Sequence, residues 1–320
     1  MYSRAELIYH VTPRLLFFMS KTKRRKVERW LRGREEFRKL RMTDCAIVSW
    51  GKSGRTWLRL MISRYYQLKY NLPEGKFLEF DNFYSENHEI PRLFFTHGNY
   101  LRDYTGNADN KSDFYGKKVV LLVRDPRDVA VSQYFQWKHR MRRGKLFLND
   151  YPSRDSDISV FDFVAREEVG IRRIIEFFNG WANEMPRLRD IMVVRYEDMR
   201  ANPDRVLKNI VDFIGTPGTK AQVKEAVAFA AYDNMKKLEE GKSFSSSGRR
   251  LLPGDKKNPD SFKVRRGKVG GYRDYFDEDQ IAEIDRYVRD TLLPIAPCED
   301  DRRDPDTEVA TAGLQARSAR

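Results

Sequence analysis

From Asp44 onward, short apolar runs of the chain alternate with longer amphipathic stretches. The apolar runs are residues 45–48, 118–123 and 191–194, with a weaker run at 93–96. Uninterrupted apolar runs are typical of parallel strands that helices cover on both faces, and their alternation with helical stretches is typical of a parallel sheet. We therefore predict an α/β fold, a single domain with a central parallel sheet flanked by helices.

Length and composition limit the class of protein further. A chain of 320 residues can bury a large core, and 40% hydrophobic residues are too many for a disordered chain. Cys45 and Cys298 are the two cysteines of the chain, which is too few for a disulfide framework. No apolar stretch approaches the roughly 18 residues of a membrane-spanning helix. These features predict a globular protein of a reducing compartment, with a cytoplasmic location.

The positive charge of the chain is concentrated near its beginning. The net charge is +14, and residues 1–41 alone hold 13 Lys/Arg against 4 Asp/Glu. Residues 14–41 combine an apolar run with this basic run. We favour a basic helix whose apolar stripe packs on the main body. A peripheral contact with an anionic membrane surface is the alternative, and it would make the protein membrane-associated.

Shifts in composition predict the boundaries of the domain. We expect a basic amphipathic N-terminal segment at residues 1–41, one domain at 42–297 and a disordered tail at 298–320. Within the domain, residues 241–259 are rich in Ser, Gly, Pro and Lys/Arg, which predicts a mobile surface loop. Residues 281–292 predict a closing helix.

The first predicted strand ends in a basic, glycine-containing turn that leads directly into a helix. Backbone amides at such a helix N-terminus form an anion-binding cradle. The standard nucleoside-triphosphate loop requires a glycine where this chain has Ala46, so that motif fails. The residues that we assign to an anion site here are Lys52, Ser53, Gly54, Arg55, Thr56 and Trp57.

Two further basic groups follow later in the chain. Arg124 comes at the end of the second run, and Ser132 lies two turns along the next predicted helix, where they could hold a second phosphate. An ordinary ion pair of Arg124 with Asp128, one helical turn away, is the alternative. The third group, residues 264–271, follows the predicted loop and either closes over the same ligand or is a solvated basic turn.

Together these segments resemble the sulfotransferases that use 3'-phosphoadenosine-5'-phosphosulfate, particularly the soluble, cytosolic type. The resemblance rests on four segments in order: the turn at residues 52–57, Arg124 with Ser132, the segment at residues 195–203, and the segment at residues 265–270. It implies a P-loop-like nucleotide-binding architecture, in which the turn holds the 5'-phosphosulfate. Binding of the 3'-phosphate would then fall to Arg124, Ser132, Arg265, Arg266 and Gly267.

The resemblance also implies roles for individual side chains. Trp57 would stack near the adenine with Tyr232 on the opposite side, and Tyr196 would lie close by. His97 falls on the position of the catalytic histidine and would take the proton from the acceptor as a general base, a role that suits a histidine because an unperturbed imidazole has a pKa near neutrality. Lys52 would neutralise charge on the departing oxygen. Ser132 would hydrogen-bond Lys52 until an acceptor arrives. No metal is implied.

The sequence departs from the family pattern at three places. Phe95 stands where the soluble type often has lysine, and Arg55 replaces a threonine, which adds a cation beside the phosphosulfate. The late Gly-Asp-Trp of the family is Gly270-Gly271-Tyr272 here. The dimer motif of the family cannot be recognised, so the oligomeric state stays open.

The leading prediction is in-line transfer of a sulfuryl group to a hydroxyl or amine of a small-molecule, lipid or carbohydrate acceptor, with no nucleic-acid partner. Segments 70–92 and 139–170 would line the acceptor pocket, with the aromatic residues Phe80, Phe83, Tyr84, Phe147 and Tyr151. A P-loop-type kinase, with Asp125 holding a metal ion, is one alternative. A basic membrane-binding or nucleic-acid-binding protein without catalysis is the other.

Overall fold

Four parallel strands form the centre of the fold. The computed structural model describes residues 18–241 and 252–295. In this part of the chain the strand order across the sheet is β2-β1-β3-β4, with every neighbouring pair parallel. The strands are β1 (Cys45–Ser49), β2 (Leu93–Thr96), β3 (Lys118–Val123) and β4 (Asp190–Arg195). All four apolar runs form strands, so the predicted α/β fold is confirmed.

Helices connect the strands and cover the sheet. The α-helices are α1 (Lys21–Met42), α2 (Arg55–Tyr70), α3 (Asn82–Glu86), α4 (Leu101–Thr105), α5 (Pro126–His139), α6 (Arg143–Leu148), α7 (Val160–Ala165), α8 (Ile171–Glu184), α9 (Tyr196–Ala201), α10 (Pro203–Ile214), α11 (Lys220–Phe229), α12 (Tyr232–Glu240) and α13 (Glu278–Thr291). Short 3₁₀ turns occur at Ser112–Phe114, Met185–Arg187, Pro259–Ser261 and Gly271–Tyr275.

The sheet separates two hydrophobic cores because successive strand residues point to opposite faces. Ile47 and its cross-strand neighbour Val120 pack with α2, α10 and α11. The next pair in register, Val48 and Leu121, packs with α5, α8 and α13 on the other face. All four side chains are fully buried. The uninterrupted apolar runs in the sequence therefore reflect burial on both faces.

The N-terminal basic helix α1 packs on α4. The ring centroids of Trp30 and Phe37 lie 5.3 and 5.4 Å from that of Tyr104, and Leu40 enters the core beside β1 and β3. The backbone at Gly33 approaches the carbonyl of Tyr100 so closely that a side chain there would overlap it. The favoured interpretation, a basic helix packed on the main body, agrees with this arrangement for residues 21–42.

The remaining boundary predictions fall partly beyond the described residues. The predicted tail at 298–320, residues 1–17 and residues 242–251 of the predicted loop lie outside them. The closing helix α13 begins at Glu278, three residues before its predicted start, because Asp277 and Gln280 form a capping box. No helix in the described ranges is long and apolar enough to cross a membrane.

Replacement of Gly33 by alanine is expected to destabilise the packing of α1. The new Cβ would lie 2.2 Å from the Tyr100 carbonyl oxygen and 2.9 Å from the Tyr104 Cβ. We expect a loss of about 1–3 kcal/mol in the free energy of unfolding, measured by urea denaturation. Arg34→Ala at the adjacent exposed position is the control. Alanine is the better helix former, so unchanged or increased stability of Gly33→Ala would contradict the close contact.

Candidate active site at the carboxyl edge of the sheet

A cavity of about 2110 Å³ lies at the carboxyl ends of the strands. Pockets for single ligands usually measure about 300–1,000 Å³, so this cavity has room for more than one ligand. Open α/β sheets bind ligands at this edge. Of the fourteen residues predicted for the site, thirteen line the cavity; the exception is Ser53, which is fully buried beneath the turn.

The turn between β1 and α2 has an unusual backbone. Lys52 has φ +74° and Gly54 has φ +94°, the left-handed region that non-glycine residues rarely adopt. A Cβ on Gly54 would lie 2.6 Å from the ring of Tyr196, so only glycine fits there. No side chain caps the N-terminus of α2, which leaves its first amides for a ligand. Strain of this kind is common where a backbone serves a binding site.

The ammonium of Lys52 lies in a strongly positive environment. Burial lowers its pKa to about 7, and repulsion by Arg140 and Arg124 adds to this effect. Within residues 18–241 and 252–295, its ammonium forms no hydrogen bond or ion pair, and the hydrogen bond predicted from Ser132 is absent. A bound anion would stabilise the charged form of Lys52 and raise its pKa.

Arg124 connects three parts of the site. Its guanidinium donates to the Lys52 carbonyl at 3.2 Å and to the Lys268 carbonyl at 3.1 Å. The same group lies 4.3 Å from the ring centroid of Tyr196 and 3.4 Å from the carboxylate of Asp128. Arg124 therefore lines the cavity, as predicted for an anion site, and also forms the ion pair with Asp128 that was the alternative.

Asp128 also holds the late basic segment against α5. Its carboxylate accepts from the Gly270 amide at 2.9 Å and from the Tyr272 amide at 3.0 Å. The Asp128 side chain is almost completely buried, and these amides and Arg124 satisfy it. Loss of this carboxylate would release residues 270–272 from the edge of the sheet.

Glu239 is a second anchor of the late segment, and sequence reasoning missed it. Its carboxylate is completely buried, pairs with Arg140 at 3.2 Å, and accepts from the amides of Lys263 and Val264 at 2.6 and 3.0 Å. Burial lowers the pKa of Arg140, and Glu239 opposes that shift. The two partners are 99 positions apart, and no local pattern marks either one.

Three aromatic residues surround one end of the cavity. The rings of Trp57 and Tyr196 meet edge to face with centroids 6.0 Å apart. The indole N–H of Trp57 donates to the Ala230 carbonyl at 2.9 Å, and the Tyr232 hydroxyl donates to the Arg265 carbonyl at 2.8 Å. These bonds orient Trp57 and Tyr232, which suits a flat aromatic ligand such as a base.

The cations of the late segment are held by neighbouring side chains. Arg265 lies over the Phe135 ring at 3.8 Å and donates to the Tyr275 hydroxyl. Arg266 donates to Asp274 at 2.8 Å. The structure thus brings both residues to the cavity wall, whereas their contact with a phosphate stays a prediction.

His97 is fixed at both of its ring nitrogens. Nδ1 lies 2.7 Å from the Ser49 carbonyl oxygen, which can only accept, so Nδ1 carries the hydrogen. Nε2 then accepts from the Arg55 guanidinium at 2.6 Å. Burial and, next, repulsion by Arg55 hold the pKa of His97 well below its usual range. The pKa of His97 therefore departs from that of an unperturbed imidazole: the ring is neutral, and Arg55 occupies its lone pair.

The predicted acceptor-side aromatics are mostly elsewhere. Of the five, only Tyr151 lines the cavity. Phe83 is fully buried in the core, Phe80 packs edge to face on Phe94, and Phe147 lies beneath the Arg24 guanidinium. Aromatic composition could not distinguish core from pocket, because both environments favour the same residues. Polar and basic side chains line this side of the cavity together with apolar residues such as Leu101, Phe114 and Trp181.

The sequence of the chain is similar to those of known sulfotransferases. The family description "Sulfotransferase domain" matches residues 42–294. Sulfotransferase 2A6 of Mus musculus is 25% identical over 265 residues, which cover 79% of this chain and 86% of that protein. Cytosolic sulfotransferase 17 of Arabidopsis thaliana is 27% identical over 275 residues, which cover 78% of this chain and 75% of that protein.

Solved structures share the fold. Mouse sulfotransferase SULT7A1 complexed with PAP aligns with a TM-score of 0.53 and 19% identity, covering 82% of this chain and 90% of that one. Retinol dehydratase in a complex with retinol and PAP aligns with a TM-score of 0.53 and 18% identity, covering 80% of this chain and 84% of that one. At this identity the likeness establishes the fold.

The tautomer of His97 can be measured directly. We expect ring ¹⁵N chemical shifts of the Nδ1–H tautomer from about pH 5.5 to 8, without titration, because burial and Arg55 disfavour the imidazolium. Arg55→Thr removes the repulsion and is expected to raise the His97 pKa. Arg142→Thr, which removes a cavity-lining cation that does not contact His97, is the control. An Nε2–H tautomer or an ordinary titration midpoint in the wild type would contradict the assignment.

Proposed function

The chain belongs to the sulfotransferase family, and we propose that it transfers a sulfuryl group from 3'-phosphoadenosine-5'-phosphosulfate to a hydroxyl or amine of a small-molecule acceptor. The observation that carries this proposal is the meeting of Lys52, Arg124 and His97 on one cavity at the carboxyl edge of the sheet. These residues come from the ends of three different strands. The PAP complexes of the structural neighbours support the choice of donor.

The residues of the cavity fit the proposed donor. The N-terminus of α2, which no side chain of the described residues caps, suits an anion at the turn. The Ser53 Oγ is buried without a hydrogen-bond partner among the described residues, but it does not line the cavity. We assign the 5'-phosphosulfate to this turn, with Lys52 and Thr56. The Nε of Arg124 is likewise buried without a partner in the described ranges, and we assign the 3'-phosphate to Arg124 and Ser132. The adenine would lie between Trp57, Tyr196 and Tyr232.

Binding of the 3'-phosphate also involves the late segment. Arg265, Arg266 and Gly267 stay in our proposal as its third wall, because Asp128 and Glu239 hold this segment beside Arg124. Gly267 has φ +61°, and a Cβ there would press on the Tyr232 ring at 3.3 Å. The glycine therefore permits a close approach of the segment to the proposed adenine pocket.

When bound, the donor supplies an activated sulfuryl group with a phosphate as the leaving group. Lys52 neutralises charge that grows on the departing oxygen, and the amides of the turn with Thr56 hold the phosphate in place. Such a transfer depends mainly on positioning and electrostatics. Burial and neighbouring cations destabilise the charged form of Lys52 and lower its pKa. A phosphate bound beside the ammonium would stabilise that charged form.

His97 would take the acceptor proton at Nε2. The Ser49 carbonyl keeps the hydrogen on Nδ1 and fixes the ring, so the lone pair on Nε2 is the basic site. Arg55 must leave Nε2 before the proton can be accepted. We propose that Arg55 turns to the phosphosulfate when the donor binds, because the donor offers it a charged partner. This movement would also remove the repulsion that lowers the pKa of His97.

The alternatives have less support in the structure. Asp125, the candidate metal ligand of a kinase, accepts from the Arg127 amide at the start of α5 and pairs with the Arg127 guanidinium at 2.6 Å. A purely electrostatic binding protein would not require the strained turn or the fixed histidine. A cytoplasmic location is part of our proposal and agrees with the name of the Arabidopsis relative. Membrane contact by residues 14–41, and a lipid or carbohydrate acceptor, stay predictions.

Loss of His97 is expected to separate catalysis from nucleotide binding. His97→Ala should lower kcat by about 10²–10⁴ because the general base is removed. Transfer would be measured with labelled donor and the best acceptor from a panel of phenols, sugars, sterols and aminolipids. Calorimetry should show unchanged affinity for adenosine 3',5'-bisphosphate. His88→Ala, outside the cavity, is the control. Full activity of His97→Ala, or no nucleotide binding by the wild type, would contradict the proposal.

Nucleotide binding is expected to take up a proton at Lys52. At about pH 8 the amine is mostly neutral because its pKa is about 7, and the phosphate raises that pKa on binding. Calorimetry with adenosine 3',5'-bisphosphate in buffers of different ionisation enthalpy should give an uptake close to one proton. Lys52→Met should abolish it, and Lys237→Met at an exposed site should not. An uptake that persists in Lys52→Met would assign the proton to another group.

A further inference from the structure

The cavity continues beyond the proposed nucleotide site into a part walled by α1, α4 and α8. We call this part the basic chamber. Its lining cations are Arg25, Lys26, Arg29, Arg32, Arg102, Lys111, Arg142, Lys145, Arg166 and Arg173. Its lining carboxylates are Asp103, Asp109, Asp113, Asp150, Glu167, Glu168 and Glu176. Cations therefore exceed carboxylates on the side of the cavity that remains for an acceptor.

Several chamber residues neutralise one another. Arg29 donates to both oxygens of Asp103 at 2.8 and 3.0 Å, and it also holds the Leu148 and Asn99 carbonyls. Arg173 pairs with Glu176 at 3.1 Å. These pairs build the wall of the chamber and are not available to a ligand. The excess charge lies on other side chains.

Arg102 and Lys111 carry that excess most clearly. Within the described part of the chain neither has an ion-pair partner, although the nearby carboxylate of Asp103 is engaged by Arg29. Burial lowers the pKa of both groups; repulsion from Arg173 adds to the shift at Arg102, whereas at Lys111 attraction by Glu184 opposes the shift more than repulsion by Arg102 adds to it. Lys111 is half-buried and Arg102 is exposed, and an anion bound between them would offset their mutual repulsion.

The surroundings hold Lys111 in place. Its ammonium lies 5.8 Å from the ring centroid of the buried Trp181, and its own amide donates to Glu184 at 3.1 Å. The Tyr115 hydroxyl also donates to that carboxylate, so Glu184 is occupied. Lys111 is thus presented to the chamber by a rigid wall, as a binding site requires.

Arg102 of the chamber and His97 line the same cavity and are close in the chain. Arg102 follows His97 by five positions, so their Cα atoms are at most about 18 Å apart, and the start of α4 at Leu101 shortens that span. Besides Arg55, the groups that depress the pKa of His97 include Lys145 and Lys263. An acceptor at His97 therefore lies close to several cations.

We propose that the acceptor carries an anionic group, a phosphate, sulfate or carboxylate, which binds between Arg102 and Lys111 while its hydroxyl or amine lies at His97. This inference rests on the proposed function, because it assigns the second substrate of the same site. It separates this chain from retinol dehydratase, whose solved complex contains retinol, a neutral molecule.

The test compares pairs of similar acceptors in which one member is anionic and the other is neutral. The probes are 4-hydroxyphenylacetate with its amide, trigalacturonate with its methyl ester, and micelles of phosphatidylinositol with micelles of a neutral galactolipid. Binding is measured by calorimetry on the protein saturated with adenosine 3',5'-bisphosphate, and transfer by the mass gain of the probe. The pair that shows the preference identifies an aromatic, carbohydrate or lipid source of the anion.

The variants connect the preference to the two cations. In at least one pair, we expect the wild type to favour the anionic member at least about tenfold in Kd or kcat/KM. Arg102→Gln with Lys111→Gln should reduce that ratio to within about twofold. Arg34→Gln with Lys23→Gln makes the same charge change on exposed positions of α1 outside the chamber and should leave the ratio unchanged. Arg102→Lys, which keeps the charge, should retain most of the preference even if the double variant folds poorly.

Two results would overturn the inference: equal or absent binding of the anionic and neutral members in every pair, or a preference that survives in the double variant. Failure of the proposed function is recognised separately. It would appear as loss of adenosine 3',5'-bisphosphate binding, or as no sulfated product from any probe. A protein that sulfates the amide as well as the acid would keep the proposed function and reject the anion site.

Discussion

The close approach of the β1–α2 turn to the ends of β3 and β4 is the contact on which the site depends. Gly54 has no side chain, and the Tyr196 ring occupies the space that one would fill. Arg124 lies over the other side of the site, against that same ring, and holds the Lys52 carbonyl. Because these contacts join three neighbouring strands, the proposed anchors for two phosphates are set by the register of the sheet.

Two buried carboxylates hold the late basic segment in this arrangement. Asp128 and Glu239 accept backbone amides of the late segment and pair with Arg124 and Arg140. Buried charges are tolerated when they are paired and hydrogen-bonded. The carboxylates thus place the late segment beside the proposed nucleotide site, while the cations around them leave the cavity positive.

Excess positive charge is the common property of the whole cavity. Burial, together with repulsion by neighbouring cations, lowers the pKa of Lys52 at the turn and keeps the His97 imidazole neutral. In the basic chamber, Arg102 and Lys111 have no ion-pair partner among the described residues. Each of these groups would be stabilised by an anion. We propose that a donor with several phosphates occupies the first part of the cavity and that an anionic acceptor occupies the second.

The sequence by itself determined the strands, the turn that leads into α2 and the order of the basic segments, because these depend on neighbouring residues and on burial of both sheet faces. The prediction that Phe83 and Phe147 line the acceptor pocket was wrong, because aromatic rings are common both in cores and in pockets. Only the tertiary structure decided that Arg55 holds His97, 42 positions away, and that Glu239 holds Arg140, 99 positions away. Such contacts form only when elements that are distant in the chain pack against each other, and the protonation state of a titratable group depends on those contacts.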